Sequence, residues 1–253
     1  SKLSEELGVP LYRRVGRRLE LTAEGEHVAA FGRELLERVG SFRDELTFGQ
    51  DRRPVVLAAG EGAYLYLLGE AIRRYCVERT DLPPLELLTR DREAGLEELR
   101  AGRAHLVVSA FEEPPDELDS ELLIETRSKV ALPSSHPLAA DSSPMALEQL
   151  RGQALIVPPR GRPLRETLSR ELRERDIPWS VAVEANGWPL MVHFVELGLG
   201  LAVVNGCVSL PEGVVGRPLT GVATTSYWVV RRRAAAVRPA IAALRDLLVS
   251  TCR

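Results

Sequence analysis

Apolar residues recur along this chain in two different rhythms. Between Thr22 and Phe48 they fall at Val28, Phe31, Leu35, Val39, Phe42 and Leu46. The steps are three or four residues, close to a heptad seam, and predict one long helix with an unpartnered stripe. Beyond Val55 the rhythm changes. Short continuous apolar runs of strand length alternate with stretches of helical spacing. Strands are predicted at Val55 to Ala59, Leu85 to Thr89 and His105 to Ser109, with helices at Ala63 to Glu78 and Arg92 to Ala101 between them. A longer extended run, Leu122 to Leu132, ends at Pro133. A second set then follows: strands at Ala154 to Val157, Val181 to Glu184 and Leu201 to Val204, helices at Pro163 to Arg175 and Pro189 to Leu197. Ser226 to Val230 is a further extended segment, and Val237 to Leu248 is an amphipathic helix. Alternation with short connections predicts an α/β fold with mostly parallel sheets flanked by helices.

The start of the chain is built differently. Ser1 to Leu7 reads as the end of a helix stopped by Gly8. Leu11 to Arg14 and Arg18 to Leu21 form a small hairpin around Gly16, its tip carrying Arg13, Arg14, Arg17 and Arg18. Thr22 is a suitable N-cap for the long helix, with Glu24 and Glu26 at the positive end of its dipole. Gln50 to Pro54 is polar, ends in proline and reads as a hinge.

Composition narrows the function. The 253 residues are 45% hydrophobic and 27% charged, ordinary globular values. The net charge is −3, so any nucleic-acid role rests on a local basic patch. Cys76, Cys207 and Cys252 are odd in number and far apart, which fits neither a disulfide framework nor a metal site and points to a reducing, cytoplasmic setting. The longest apolar stretch, Leu197 to Leu210, is too short to span a bilayer and is broken by Asn205.

Catalytic patterns are thin. Gly60-Glu61-Gly62 sits at a strand-to-helix turn but lacks the third glycine of a dinucleotide site, Leu65 standing there. His27, His105, His136 and His193 have no paired spacing, and the nucleophile elbow of the hydrolases is absent. No enzyme, cofactor or metal is predicted. The informative feature is a set of four strand-to-helix turns. They hold Gly62, Ala63 and Tyr64; Thr89 and Arg90; Arg160, Gly161 and Arg162; and Asn186 with Trp188. Ligands of open α/β sheets bind at such turns, so four of them predict a cleft between two lobes. Arg160 and Arg162, just before a helix start, suit a carboxylate.

Residues 2–26, KLSEELGVPLYRRVGRRLELTAEGE, resemble the recognition-helix end, wing and linker-helix start of LysR-type transcriptional regulators. The landmarks are Leu3, Leu7-Gly8, Pro10-Leu11, Arg14, Gly16-Arg17, Leu21-Thr22 and Gly25. LEELRAGRAHLVV, the turn at Ser134 to Ala139, LEQLRGQALIV and VELGLGLAVVN extend the resemblance over essentially the whole chain. It implies a partial winged helix-turn-helix in residues 1–22, a dimerising linker helix in 23–49 and a bilobal, periplasmic-binding-protein-like effector domain in 50–253. Lobe I would comprise 54–130 and 227–253, and lobe II 131–226. Crossover strands are expected near Lys129 to Leu132 and Ser226 to Val230.

The resemblance also implies the partners. These are promoter DNA in the full-length form, a small-molecule effector, a second copy paired through Val28, Phe31, Leu35, Val39, Phe42 and Leu46, a tetramer as is common in the family, and RNA polymerase. DNA contacts would come from Ser1, Lys2, Arg13, Arg14, Arg17 and Arg18. Three departures stand out. About 40 residues of the family's winged helix-turn-helix are not in this sequence, so this chain by itself is expected to bind DNA weakly or without sequence preference. His105 stands where the family often has Asp. Ala63-Tyr64 stands where a hydroxyl is usual, so Tyr64 is expected as an aromatic wall. The alternative is a solute-binding or sensor module of the same fold that does not read DNA.

Overall fold

The computed structural model describes residues 2–16, 18–32, 35, 39, 53–233 and 237–252. A short helix α1 (Lys2–Leu7) ends at Gly8, whose positive φ of 69° suits a helix stop. Strands β1 (Tyr12–Val15) and β2 (Arg18–Leu21) pair as an antiparallel hairpin, with Gly16 at φ 63° in the turn. Residues 23–32 form helix α2, and residues 35 and 39 are also helical. Thr22 caps α2: its hydroxyl accepts the Gly25 N–H at 3.0 Å and donates to the Pro10 carbonyl at 2.6 Å.

The first lobe contains strands β3 (Val55–Ala59), β4 (Leu85–Thr89), β5 (Leu106–Ala110) and β6 (Leu118–Thr126). Helices α3 (Glu61–Tyr66), α4 (Gly69–Arg73) and α5 (Arg92–Arg100) lie between them. The second lobe follows with β7 (Ser128–Pro133), β8 (Ala154–Val157), α6 (Pro163–Glu174), β9 (Ser180–Glu184), α7 (Trp188–Glu196), β10 (Leu201–Asn205) and β11 (Val214–Pro218). The chain then returns to the first lobe as β12 (Thr225–Arg232) and closes with α8 (Pro239–Cys252). The two sheets run β4-β3-β5-β12-β6 and β11-β7-β10-β8-β9.

Each central strand is buried on both faces, which explains its unbroken apolar run. Leu57 and Ala59 of β3 join a core with Leu68, Tyr75, Leu244 and Leu248. Ala58 between them points the other way, into a core with Leu96, Leu99 and Val230. The second lobe repeats this two-residue alternation. Leu155 and Val157 pack with Leu168 and Leu172, whereas Ile156 packs with Met191 and Val195.

Four expectations are corrected. The sheets are mixed rather than mostly parallel, because β12 runs antiparallel to β5 and β6, and β7 antiparallel to β10 and β11. The helix expected from Ala63 to Glu78 is broken at Leu67 and Leu68, where Leu68 is buried, and it ends in a π-helical turn, Arg74–Glu78. The extended run from Leu122 to Leu132 is two strands of different sheets, separated only by Arg127. The chain changes sheet there and again between Pro218 and Thr225, so β7 and β12 each lie wholly in one sheet, against expected lobe boundaries at 130/131 and 226/227.

Candidate functional site

The C-terminal ends of β3, β4 and β5 in one lobe face those of β8 and β9 in the other. Between them lies a cleft of about 560 Å³. That volume lies within the usual range for a small-molecule site. Its first-lobe wall holds Gly60 to Ala63, Thr89 to Arg92 and Val108 to Glu112. Its second-lobe wall holds Pro158, Arg162 to Leu164, Thr167 and Asn186 to Trp188. Ser128, Asn205 and Val222 to Tyr227 lie where the chain passes between lobes.

Of the residues singled out in the sequence, Gly62, Ala63, Thr89, Arg90, Arg162, Asn186 and Trp188 line this cleft. Three do not. Tyr64 is turned away: its hydroxyl donates within reach of the Leu57 carbonyl at 2.7 Å and the Leu88 carbonyl at 3.0 Å. Burial pushes its phenol up to about 12. The helical step from Ala63 to Tyr64 swings the ring off the cleft face and onto the core beside β3 and β4. Arg160 and Gly161 are exposed outside the cleft lining. The Gly161 N–H is already taken by Glu166 Oε1 at 2.8 Å, so the start of α6 satisfies itself there.

The charges in the cleft are balanced. Arg90, Arg92 and Arg162 stand with Glu61, Asp91 and Glu112. Arg90 is engaged by Glu98 at 3.0 Å. The carboxyl of Glu98 is held below the ordinary range by hydrogen bonds from Arg103 and then Arg90. Arg162 reaches across the cleft to Asp91 at 3.5 Å, with both side chains about half exposed. An ion pair so exposed is weak, and a competing carboxylate exchanges readily into it. Asp91 has a second task, accepting the Ala94 N–H at 3.1 Å as the N-cap of α5.

Trp188 packs closely against the first lobe at the cleft. A Cβ placed on Gly62 would lie 2.5 Å from its ring. The indole also packs with Tyr66 at 6.4 Å and touches the cores of both lobes. Among the lining residues that the sequence did not single out are Asp91, Ser128, Asn205 and Tyr227. Asn205 registered only as an interruption of an apolar stretch. A polar residue closing a run of four buried apolar ones was the available signal.

His105 Nδ1 accepts the Val56 N–H at 2.9 Å, and His136 caps a turn by accepting from Leu138. No cluster of three metal-ligating side chains occurs among the described residues. No helix among them is long and apolar enough to cross a membrane.

Outside the cleft, Lys2, Arg13, Arg14 and Arg18 are exposed on α1 and the hairpin, and Arg13 pairs with Glu20 at 3.6 Å. Ser1 and Arg17 lie outside the described residues. On the linker-helix seam Val28 is partly buried, and Phe31, Leu35 and Val39 are exposed. Phe42 and Leu46 lie outside the described residues.

Two α/β lobes joined by a double chain crossing, with a cleft between their strand ends, define a bilobal ligand-binding domain. Residues 48–253 match the LysR substrate binding domain, and the chain belongs to that family of transcriptional regulators. Among curated relatives, TtuA of Agrobacterium vitis, an HTH-type transcriptional regulator, is 29% identical over 80% of this chain and 67% of its own length. The RuBisCO operon transcriptional regulator of Allochromatium vinosum is 23% identical over 98% of this chain and 84% of its own. The fold resembles full-length OxyR from Pseudomonas aeruginosa, with a TM-score of 0.71 at 24% identity over 98% of this chain and 85% of that one. It also resembles the effector-binding domain of QuiR, solved with shikimate, with a TM-score of 0.66 at 15% identity over 79% and 96% of the two chains. The protein is a LysR-type transcriptional regulator with an effector-binding domain.

Proposed function

We propose that the interlobe cleft binds a small carboxylate-bearing effector, and that its occupancy biases how the lobes and subunits are arranged on promoter DNA. The observation that carries this reading is the Arg162–Asp91 pair across the cleft. It puts a guanidinium at the rim whose partner is exposed and exchangeable. Arg162 is the proposed anchor; Arg160, outside the cleft, is withdrawn from that role. The solved QuiR domain, holding shikimate, supports a carboxylic acid as the ligand class.

The remaining parts of the proposal follow the family. The hairpin arginines Arg13, Arg14 and Arg18 contact phosphate in the full-length form, with affinity that falls as salt rises. The α2 seam pairs two copies, tetramers build on that pair, and RNA polymerase is the downstream contact. Regulation rather than catalysis, within the cytoplasm, is the proposed role.

Titration calorimetry with a panel of small organic acids tests the cleft. At least one acid should bind, and Arg162→Ala should weaken it on the order of tenfold or more, as expected for loss of a charge-assisted hydrogen bond. Equal affinity for wild type and variant removes Arg162 from the role.

A further inference from the structure

Asn205 is the last residue of β10, directly after four buried apolar positions, and is itself only 5% exposed. Its side-chain oxygen accepts two hydrogen bonds, from the Thr126 hydroxyl at 2.7 Å and the Cys207 N–H at 3.1 Å. A backbone N–H only donates, so the atom it meets must be the oxygen, and the orientation of the amide is thereby fixed. The Asn205 Nδ2 is left with two hydrogens and no partner among the described residues. Ser128 stands opposite Asn205 in the antiparallel register of β7 and β10. Directly opposed residues place their side chains on the same face. Ser128 is 5% exposed, and its hydroxyl likewise has no partner among the described residues. Tyr227, 7% exposed on β12, brings a third such group from the other lobe. Burial raises its phenol pKa, which keeps it a neutral donor. All three line the cleft.

Three donors on largely buried side chains, uncommitted among the described residues and lining the cleft, are placed to meet an acceptor there. The nature of that acceptor follows from the surroundings. The arginines of the cleft sit on the strand-to-helix turns, and Lys129 beside this floor is committed to the Gly206 and Val208 carbonyls. A second carboxylate seated here would be buried without a matching cation, which is unfavourable.

We propose that Asn205, Ser128 and Tyr227 form a donor platform that reads an uncharged oxygen of the effector, making the preferred ligand a hydroxy- or oxo-carboxylic acid. This rests on the cleft being the effector site, with the carboxylate at Arg162. Thr126 is a positioning residue that holds the Asn205 amide in its orientation.

The test is calorimetry of the full chain with cyclohexanecarboxylate, its 4-hydroxy and 4-oxo derivatives, cyclohexane-1,4-dicarboxylate and cyclohexane-1,4-diol. The hydroxy or oxo acid should bind about tenfold tighter than the parent acid. Asn205→Asp, which keeps the accepting oxygen and removes the donors, should collapse that ratio towards one, as should Ser128→Ala and Tyr227→Phe. Circular dichroism confirms that each variant is folded. A ratio near one in wild type, or a ratio that survives all three variants, overturns the platform while leaving the Arg162 anchor intact. A dicarboxylate that binds as tightly as the hydroxy acid overturns the neutral-oxygen preference. Binding of the diol that is lost in Asn205→Asp but unchanged in Arg162→Ala upholds the platform, since the diol offers Arg162 no carboxylate. Failure of all five compounds to bind overturns both.

Discussion

Single residues decide which turns of this molecule face a ligand, and Gly62 shows how. The position has no room for a side chain, since an added Cβ would meet the Trp188 ring at 2.5 and 2.8 Å. The indole cannot simply slip aside, because it packs on the cores of both lobes. Gly62→Ala should therefore destabilise the protein by about 1–3 kcal/mol, the usual range for overpacking, as read from the urea midpoint. An unchanged midpoint would show that Trp188 moves out at little cost. The glycine was visible in the sequence as a turn residue, but its neighbour across the cleft lies more than a hundred positions further on. Tyr64 was misjudged for a related reason. A turn motif gives the place where a helix starts and not the side on which each of its residues falls. The carbonyls of Leu57 and Leu88, at two neighbouring strands, capture its hydroxyl. Asn205 and Ser128 went unread because their meaning depends on a strand pairing between distant segments.

At the scale of elements, periodicity was a good guide wherever one element buries its own face. The predicted strands Val55 to Ala59, Leu85 to Thr89 and Ala154 to Val157 coincide with β3, β4 and β8. The strand β11 was invisible because Gly216, Arg217 and Pro218 are poor strand formers. Its pairing with β7 at a sheet edge holds it extended instead, together with the buried Arg217. That guanidinium binds the Leu138 and Ser143 carbonyls at 2.8 and 2.9 Å and Asp141 at 3.0 Å. The α2 seam poses the opposite case, an element whose pattern the single chain does not satisfy. Phe31 is 62% exposed, Leu35 50% and Val39 56%. If two copies pair through these positions, Phe31→Glu should shift sedimentation from dimer towards monomer. A variant that sediments like the wild type would place the self-association elsewhere.

At the scale of the whole molecule, the sequence carried the two α/β units and their order. It did not carry the mixed strand directions, because pairing direction follows from how the chain is routed between lobes rather than from any local pattern. Routing also fixes an order of assembly. All of lobe II lies between the two passages of the chain, as an insertion within lobe I. Strand β12 fits between β5 and β6, next to the edge of a sheet whose other four strands are synthesised earlier. During synthesis on the ribosome, the inserted lobe is therefore complete while its host still has a gap between β5 and β6. A chain ended at residue 224 should yield a protease-resistant fragment covering 128–218, with β3 to β6 digested. Equal protection of both halves would show that the earlier strands close the gap among themselves. The sensor half that emerges last is thus the one begun first, and the two lobes become a single receptor only when the final strand is threaded home.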